Sequence, residues 1–385
     1  MRIIMLSHGY PPTMSGVTRV VQKISCYMSK RGHEVCVVSA SEHGTAYQAT
    51  DDGVQLIRVR SYHNPFWHDG RLPWVNSTDL KNIIANFTPD LIHSHENVIL
   101  STQLLRLKPT LNTPIIVSCY FLPVFATYYL RLGTILGKVL QQIQWKFFIW
   151  SFNQYDHAIF STQAQLQPYL DHGLAIPASV ISNGVDFDRY NSSHDKTQAD
   201  ICGIDLPPGP RLLFVSRLAR DKKIDVLLRA MPSILSRREA HLILVGHGDD
   251  QPRLEKITND LSIREHVHFL GYIPEASLPS VYKASDLFVL VSDCEVQSIP
   301  TLQALAAGVP VVAANAAALP ELVYNEINGY LVPPNDPGSV GQAVLRLLEN
   351  PERSSIMGRR GIEIARKHAD AKILSDFESL YRSYL

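Results

Sequence analysis

The chain has 385 residues, of which 45% are hydrophobic and 19% are charged. That length is too great for one ordinary core and suits two domains, and the composition is typical of soluble globular proteins. Because 36 basic residues are balanced by 36 acidic ones, a long-range attraction to nucleic acid is unsupported, and we predict no nucleic-acid partner.

The cysteines are scattered, odd in number and never spaced as a CxxC pair: Cys26, Cys36, Cys119, Cys202 and Cys294. This pattern argues against a disulfide framework and a zinc site, and it favours a reducing compartment. The apolar run in the opening "MRIIMLSHGYPP" is too short for a secretory signal peptide. We therefore expect a cytoplasmic protein.

The first half of the chain alternates short apolar runs with helical patterns. The runs are "RIIMLS", "EVCVVS", "VQLIRV", "DLIHSH", "PIIVSC", "HAIFST" and "ASVIS", and a helix is predicted from about Val17 to Lys30. Such alternation predicts a parallel sheet with helices on both faces. Residues 109–130 approach the length of a membrane span, but their prolines and polar residues indicate a strand, a loop and a helix start.

Residues 128–152 show apolar positions at helical spacing, which form one stripe of an amphipathic helix: Leu132, Ile135, Leu136, Val139, Leu140, Ile143, Phe147 and Trp150. Further apolar residues lie beyond the stripe: Trp145, Phe148, Ile149 and Phe152. The segment also carries Arg131, Lys138 and Lys146 but no acid. Spare aromatic residues with cations suit a helix lying in a membrane interface. The alternative is that they pack against the rest of the first domain.

The polar stretch "NSSHDKTQADICGIDLPPGP", residues 191–210, interrupts this pattern. The alternation then restarts with "RLLFVS", "HLILVG", "HVHFLG", "DLFVLV", "VPVVAA" and "GYLVPP". We predict two doubly wound domains, 1–190 and 191–370, with 191–210 as the linker. Ligands of open α/β sheets lie beyond the carboxyl ends of the strands, so two such domains facing each other would form a binding cleft.

One acidic residue, Glu295, follows the buried strand "DLFVLV", and Pro300 suits the first turn of a helix beginning around residues 298–301. The free N–H groups of a helix start favour phosphate, and a diphosphate is the natural guest. Arg217 follows the strand "RLLFVS", and Lys222 and Lys223 open the next helix. These cations could neutralise the same phosphates. Alternatively, they form only a solvated strand end and helix start.

Several segments in order resemble the GT4 family of retaining glycosyltransferases, which have the two-domain GT-B fold. They include "YPPTMSGVTRVVQKISCYMSKRGHEVCVVS", "PDLIHSHENVIL", "ISNGVDFDRY", "SRLARDKKIDVLLRA", "LVGHGDDQPRLEKI" and "SDCEVQSIPTLQALAAGVPVVAAN". Any one motif is weak, but the ordered set covers nearly the whole chain. The resemblance implies two Rossmann-like domains facing across a cleft, with a C-terminal helix, about 371–385, that packs back on the first domain.

The resemblance also assigns roles to residues of this sequence. It implies that Gly16 lies near the donor phosphates, that Arg217 and Lys222 bind the diphosphate, and that Glu295 contacts hydroxyls of the donor sugar. Backbone amides of Gln297, Ser298 and Ile299 would lie beside the sugar, and Asn183 and Gly184 near the cleft. The implied donor is a nucleoside diphosphate sugar, UDP- or GDP-linked, with no other cofactor and no metal. The reaction would retain anomeric configuration without a protein nucleophile, through electrostatic stabilisation of the departing diphosphate.

The sequence departs from the family pattern at three places. The second acid of the family's signature, which normally binds the nucleotide ribose, is Gln303, whose neutral bond would be weaker by on the order of 1 kcal/mol. Tyr120 stands where relatives often carry a histidine near the transferred sugar, and Ser15 with Gly16 replaces a pair of glycines. His95 matches a family position at the cleft. For Gln303, Tyr120 and His95 a purely structural role is the alternative.

Two other readings of the motifs are set aside. "GHGDDQ", residues 246–251, lacks the third glycine of a dinucleotide fingerprint, which argues against a nicotinamide enzyme. The "DFD" of residues 186–188 imitates a metal-binding pair but lies in the "NGVDFDRY" loop, where the resemblance implies no metal.

The acceptor is the least determined part of the prediction. "EVQS" is similar to a variant found in diacylglycerol glucosyltransferases and other glycolipid synthases, a group that also includes phosphatidylinositol mannosyltransferase-like enzymes. With the cationic aromatic helix of 128–152, this favours a membrane-lipid acceptor and a peripheral position on the inner face of the cell membrane. A soluble or polyprenol-linked saccharide acceptor stays open, as does a non-catalytic relative that only binds nucleotide sugars.

Overall fold

The computed structural model describes residues 1–13, 15–64, 71–95, 98–125, 134–192 and 206–385. Arg131, Leu132, Cys202 and most of the predicted linker 191–210 lie outside these ranges. The described residues divide into two compact units. The first unit is formed by those of 1–125, 134–183 and 373–385, and the second by those of 184–372.

The first unit contains an eight-stranded sheet in the order β10-β9-β8-β7-β1-β2-β4-β3. Only β3 runs antiparallel to its neighbour. The strands are β1 (Arg2–Ser7), β2 (Glu34–Ala40), β3 (Tyr47–Asp51), β4 (Val54–Val59), β7 (Leu91–Ser94), β8 (Ile115–Cys119), β9 (His157–Phe160) and β10 (Ala178–Val180), and β5 (Ser61–His63) pairs with β6 (Arg71–Pro73) in a small hairpin. The central strands are buried throughout, as expected for a sheet covered on both faces.

The helices of this unit are α1 (Gly16–Lys30), α2 (Ser77–Phe87), α3 (Ile99–Leu107), α4 (Thr134–Phe152) and α5 (Gln163–Asp171). The prediction of a helix from about Val17 to Lys30 is confirmed. Its apolar side chains Val20, Val21 and Ile24 are buried against the sheet. No helix within the described ranges is both long and apolar enough to cross a bilayer.

Helix α4 buries three of the four side chains that lie beyond the sequence stripe, and the fourth, Ile149, is partly buried. Trp145, Phe148 and Phe152 are at most 7% exposed. The large apolar side chains that it exposes all belong to the stripe: Val139, Ile143, Phe147 and Trp150. The sequence left open whether the extra aromatic residues face a membrane interface or pack within the first domain. Trp145, Phe148 and Phe152 pack within the first unit.

The second unit contains a six-stranded parallel sheet in the order β13-β12-β11-β14-β15-β16. Its strands are β11 (Arg211–Val215), β12 (His241–Val245), β13 (Val267–Gly271), β14 (Leu287–Leu290), β15 (Val311–Ala314) and β16 (Gly329–Val332). Counted within the unit, this is the 3-2-1-4-5-6 order of a Rossmann fold. The predicted class, α/β with two doubly wound domains, is confirmed.

The helices of the second unit are α6 (Phe187–Asn191), α7 (Ile224–Leu235), α8 (Gln251–Asp260), α9 (Leu278–Lys283), α10 (Ile299–Ala306), α11 (Pro337–Glu349) and α12 (Pro351–Arg366). Large apolar side chains from the sheet and these helices form one continuous core, which includes Phe214, Met231 and Phe288.

The last helix, α13 (Asp370–Arg382), belongs to the first unit from Ile373 onward. Its side chains Phe377 and Tyr381 are buried in the core of that unit. Glu378 is also buried and pairs with Arg31, His33 and Arg382.

Candidate active site

The catalytic candidates of the second unit lie where its strand order reverses. Strands β11 and β14 are neighbours, but the chain continues from β11 to β12 on one side and from β14 to β15 on the other, which opens a crevice at their carboxyl ends. Arg217 and Lys222 come from the segment after β11, and Glu295 comes from the segment after β14. The topology therefore brings residues that are more than seventy positions apart to one edge of the sheet.

Lys222 and Glu295 form a direct ion pair in which Nζ lies 2.7 Å from Oε1. The two side chains are only 13% and 11% exposed. Burial alone would lower the pKa of Lys222, but the carboxylates of Glu295 and Asp221 outweigh it and raise that pKa above its usual value. The lysine is therefore a permanent cation at this position.

Asp221 is a member of this site that the sequence reasoning missed. Its buried carboxylate lies 3.4 Å from Lys222 Nζ and 3.9 Å from an Arg217 guanidinium nitrogen. Its backbone carbonyl accepts a hydrogen bond from the Ser292 hydroxyl, which ties the β11 segment to the β14 segment. A buried carboxylate needs neighbouring cations, so the position of Asp221 between Arg217 and Lys222 in the sequence could have identified it as a residue of the site.

Arg217 reaches solvent, with 57% of its side chain exposed. The backbone of the next residue, Leu218, is held by the loop after β12: Leu218 N–H donates to the carbonyl of His247, and Asp250 N–H donates to the carbonyl of Leu218. Side chains at Gly246 or Gly248 would collide with the carbonyls of Ser216 and Leu218, respectively. The two glycines of "GHGDDQ" thus allow close packing against the segment that carries Arg217.

Helix α10 begins at Ile299, within the range predicted from the sequence. The Ser298 side chain caps it by accepting from Thr301 N–H at 3.1 Å, and Pro300 lies in its first turn. Gln297 and Ser298 are both buried. A helix start four residues beyond Glu295 presents amide dipoles close in the chain to the ion pair, an arrangement that favours an anion.

Gln303 lies on the same helix and is also buried. Its Oε1 accepts a 3.0 Å hydrogen bond from the hydroxyl of Tyr282, whose ring lies in the core. The carbonyl oxygen predicted to hold the ribose therefore already has one protein partner. Ribose binding by Gln303 stays a prediction.

The remaining charges near the site also have partners. Lys223 Nζ lies 3.5 Å from Asp293. In the "DFD" sequence, Asp186 caps helix α6 by accepting from Arg189 N–H. Across the described ranges, no three His, Cys, Asp or Glu side chains are arranged to hold a metal ion.

In the first unit, Gly16 opens helix α1, and Ser15 caps that helix. Ser15 and Thr18 form a capping box, in which each side chain accepts from the other residue's backbone N–H. A side chain built on Gly16 would meet no protein atom within 4 Å. The fold itself therefore does not require a glycine at position 16.

His95 and Tyr120 follow β7 and β8, which are adjacent strands of the first sheet. His95 Nδ1 lies 2.8 Å from the Tyr120 hydroxyl. Burial lowers the pKa of His95 to about 3 and raises that of Tyr120, so both are neutral around pH 7. His95 Nε2 is buried and has no hydrogen-bond partner in the described part of the chain. The structure thus pairs two candidates that the sequence treated separately.

The "NGVD" loop contains the boundary between the two units, because Asn183 belongs to the first and Gly184 to the second. Within the first unit, the carbonyl of Asn183 accepts from Lys23 Nζ and its Oδ1 accepts from Ser161. Gly184 has a φ of +74°, a backbone conformation that glycine adopts without strain.

Two family models match the chain. The model described as Glycosyltransferase Family 4 covers residues 14–189, and the one described as Glycosyl transferases group 1 covers residues 206–364. An uncharacterised glycosyltransferase of Methanocaldococcus jannaschii is 27% identical over 99% of this chain and 98% of its own length. The alpha-monoglucosyldiacylglycerol synthase of Streptococcus pneumoniae is 23% identical over 86% of this chain and 75% of its own.

Among solved structures, that of Anabaena HepE in complex with UDP-glucose matches with a TM-score of 0.79 at 17% identity, covering 99% of both chains. With the family matches and the doubly wound units, these similarities identify the chain as a glycosyltransferase of the GT4 family, with the GT-B fold.

Proposed function

We propose that the protein transfers a hexose from a nucleoside diphosphate sugar to the hydroxyl group of a membrane lipid, with retention of configuration and without a metal. In this reaction the bond between the sugar carbon C1 and the diphosphate breaks, and a bond from C1 to the acceptor oxygen forms. The acceptor proton passes to the leaving diphosphate. UDP and GDP are both candidate nucleotides.

The observation that carries the proposal is the buried pair of Lys222 and Glu295 beside the start of α10. Lys222, Arg217 and the helix amides would stabilise the negative charge that grows on the departing diphosphate. Glu295 would accept hydrogen bonds from the sugar hydroxyls while keeping Lys222 in place. No protein nucleophile acts in this scheme.

A nucleotide-sugar donor is supported by the HepE structure, which holds UDP-glucose in a protein of the same fold. A lipid acceptor is supported by the similarity to a synthase whose name specifies a monoglucosyldiacylglycerol product, a glycosylated lipid. The neutral pair of His95 and Tyr120 would contact the transferred sugar. Hydrogen bonding rather than proton uptake is the chemistry available to that pair near pH 7.

The test measures nucleotide release from labelled UDP-glucose and GDP-mannose by purified protein with a total lipid extract. Arg217→Ala and Glu295→Ala should each lower turnover by roughly a hundredfold or more, because each removes a group that acts on the transition state. Chelation of divalent metals with EDTA should leave the wild-type rate unchanged.

Arg229→Ala is a matched control, because its side chain is 58% exposed, like that of Arg217, but lies on helix α7 with Asp225 as its partner. It should keep the wild-type rate. Wild-type turnover in both site variants would refute the site. Transfer only to soluble saccharides would refute the lipid acceptor, and donor binding without turnover with any acceptor would refute catalysis.

A further inference from the structure

A series of hydroxyl and imidazole groups within the first unit connects the last helix to His95. We call it the hydroxyl–imidazole chain, and its members in order are Tyr381, His93, Ser118, Tyr120 and His95. The Tyr381 hydroxyl lies 2.6 Å from His93 Nδ1, and His93 Nε2 lies 2.8 Å from the Ser118 hydroxyl. Ser118 also hydrogen-bonds to Tyr120, and the Tyr120 hydroxyl lies 2.8 Å from His95 Nδ1. Helix α13 is thereby linked to a candidate residue of the site.

Both histidines of the hydroxyl–imidazole chain are neutral. The ring centroids of His93 and His95 are 3.8 Å apart, so a charge on one ring would repel a charge on the other. Both residues are at most 2% exposed, and burial lowers the pKa of each ring. A neutral imidazole carries one ring proton, and a hydroxyl group carries one. Each member therefore has a single proton to donate.

The contacts fix the direction in which these protons are donated. Five members share four contacts, so one proton is left over at an end of the chain. If Tyr381 donates to His93 and the direction continues, Tyr120 donates to His95 Nδ1, and only the Nε2 proton of His95 is left unpaired.

The reverse direction leaves two groups unpaired, namely the hydroxyl proton of Tyr381 and the bare Nε2 of His95. Within the described ranges, neither of these atoms has another hydrogen-bond partner. Each unpaired buried polar group destabilises the folded protein. The direction that begins with donation by Tyr381 is therefore the favoured one.

We propose that the hydroxyl–imidazole chain holds His95 in the tautomer with its proton on Nε2, and that Tyr381 is the positioning residue that sets this direction. His95 then offers a hydrogen-bond donor, not a base, to an oxygen atom of a ligand. The inference rests on the proposed function in one respect, because it assigns that oxygen to a hydroxyl group of the transferred sugar.

The test reads the tautomer of His95 from the ring nitrogen resonances of the full chain labelled with 15N-histidine. The protonated and the bare nitrogen of a neutral ring have well-separated shifts, and the His95 signals are assigned by their loss in His95→Gln. Wild type should have the proton on Nε2. Tyr381→Phe should raise the fraction with the proton on Nδ1 by about tenfold, because both directions then leave the same number of groups unpaired.

A second substitution separates this role from a merely structural one. When Ser118→Ala is added to Tyr381→Phe, His95 Nδ1 is the only member of the hydroxyl–imidazole chain left to accept the Tyr120 proton. The double variant should therefore return the His95 proton to Nε2. Damage to core packing by Tyr381→Phe would not be repaired by the loss of another hydroxyl group.

Tyr384→Phe is the matched control. The Tyr384 hydroxyl lies 2.8 Å from Nδ1 of His157, whose Nε2 lies 2.9 Å from the Ser179 hydroxyl. It makes the same kind of contact with the same sheet, but outside the hydroxyl–imidazole chain. Tyr384→Phe should leave both the His95 tautomer and the rate of nucleotide release at their wild-type values.

Nucleotide release supplies a second readout. Tyr381→Phe should lower kcat/KM for the nucleotide sugar by roughly twofold, because about half of the molecules would have the wrong tautomer. In the His95→Gln background the same substitution should have no further effect, since Tyr381 acts through His95.

Two results would overturn the proposal. One is a wild-type His95 with its proton on Nδ1, a result that does not depend on the folding of Tyr381→Phe. The other is the same tautomer fractions in wild type and Tyr381→Phe. The resonance measurement needs no turnover. The expected tautomers in a protein that releases no nucleotide with any acceptor would refute the proposed function and leave the assignment of His95 standing.

Discussion

At the scale of single residues, Asp221 is the buried carboxylate that lies beside both Arg217 and Lys222. It is 4% exposed and lies within 4 Å of charged nitrogens of both Arg217 and Lys222. It is a positioning residue, because its side chain acts through its neighbours. Without Asp221, Lys222 would keep its 2.7 Å contact with Glu295, whereas Arg217 would lose the carboxylate that lies 3.9 Å from its guanidinium group.

Asp221→Asn should therefore lower kcat/KM for the nucleotide sugar by about tenfold, which corresponds to a loss of on the order of 1.4 kcal/mol. Steady-state kinetics of nucleotide release would measure the change. Asp225→Asn is the matched control, because Asp225 pairs with Arg229 on its own helix α7 and with Arg253 on helix α8, and not with Lys222. Equal kinetics for wild type and Asp221→Asn would show that the carboxylate has no part in the site.

Gly16 provides a second prediction at this scale. Because a side chain there meets no protein atom within 4 Å, Gly16→Ala should fold normally, with a gain in stability of less than about 1 kcal/mol. If the donor phosphates approach this backbone, the added methyl group should lower turnover by about tenfold or more. Urea unfolding and nucleotide release would be compared on the same preparation. A variant as active as wild type would argue against a ligand at Gly16.

At the scale of elements, the C-terminal helix α13 is tied to the first unit by buried polar contacts. The Tyr381 hydroxyl lies 2.6 Å from Nδ1 of His93, whose Nε2 lies 2.8 Å from the Ser118 hydroxyl. Burial lowers the pKa of His93 well below its usual value, so the ring stays neutral. The contacts of α13 thus reach β7 and β8, the strands that precede His95 and Tyr120.

Glu378 makes the docking of α13 sensitive to acid. Its hydrogen bond with Arg382 is the largest influence on its pKa and, with His33 and Arg31, lowers that pKa from 4.5 to about 2 despite burial. A carboxyl group with a lowered folded-state pKa stabilises the protein above its unfolded pKa, and this stabilisation is lost as pH falls from about 4.5 toward about 2.

Glu378→Gln should remove that dependence while keeping a hydrogen-bonding side chain of similar size. Urea midpoints at several pH values would show wild type losing stability more steeply than the variant between about pH 4.5 and pH 2. Parallel curves for the two proteins over this range would contradict the assigned role of Glu378.

Among the elements, the strands and helix α1 could be predicted from sequence because their apolar residues recur with a period that depends only on local geometry. The start of α10 could be predicted because Ser298 and Pro300 are both favoured at helix starts. The role of Asp221 could not be predicted, because it depends on the distances from its carboxylate to Arg217 and Lys222, which only the folded loop defines. The bond between Tyr282 and Gln303 was missed for the same reason.

At the scale of the whole molecule, ligand binding should stabilise the chain through the second unit. A nucleoside diphosphate at about 100 times its Kd adds about 2.7 kcal/mol to the stability of the folded state. Thermal unfolding with UDP and with GDP should show a higher Tm for the nucleotide that the site accepts. Addition of EDTA should not reduce this rise.

Lys222→Ala should abolish the rise in Tm, whatever its own stability, because the comparison is made with and without nucleotide for each protein. Arg229→Ala should show the wild-type shift. A full shift in the Lys222→Ala variant would place the diphosphate elsewhere.

The amino-acid sequence alone determined the α/β class, the two doubly wound units and the family, because these follow from the order of local patterns along the chain. The tertiary structure decided which residues meet. It joined Lys222 to Glu295 and His95 to Tyr120, because parallel strands bring distant chain segments to the same edge of a sheet. It also decided which side of helix α4 is buried. Helical spacing identifies apolar faces equally well on either side, and only the neighbouring rings of Phe121, Tyr169 and His172 determine which face lies inside.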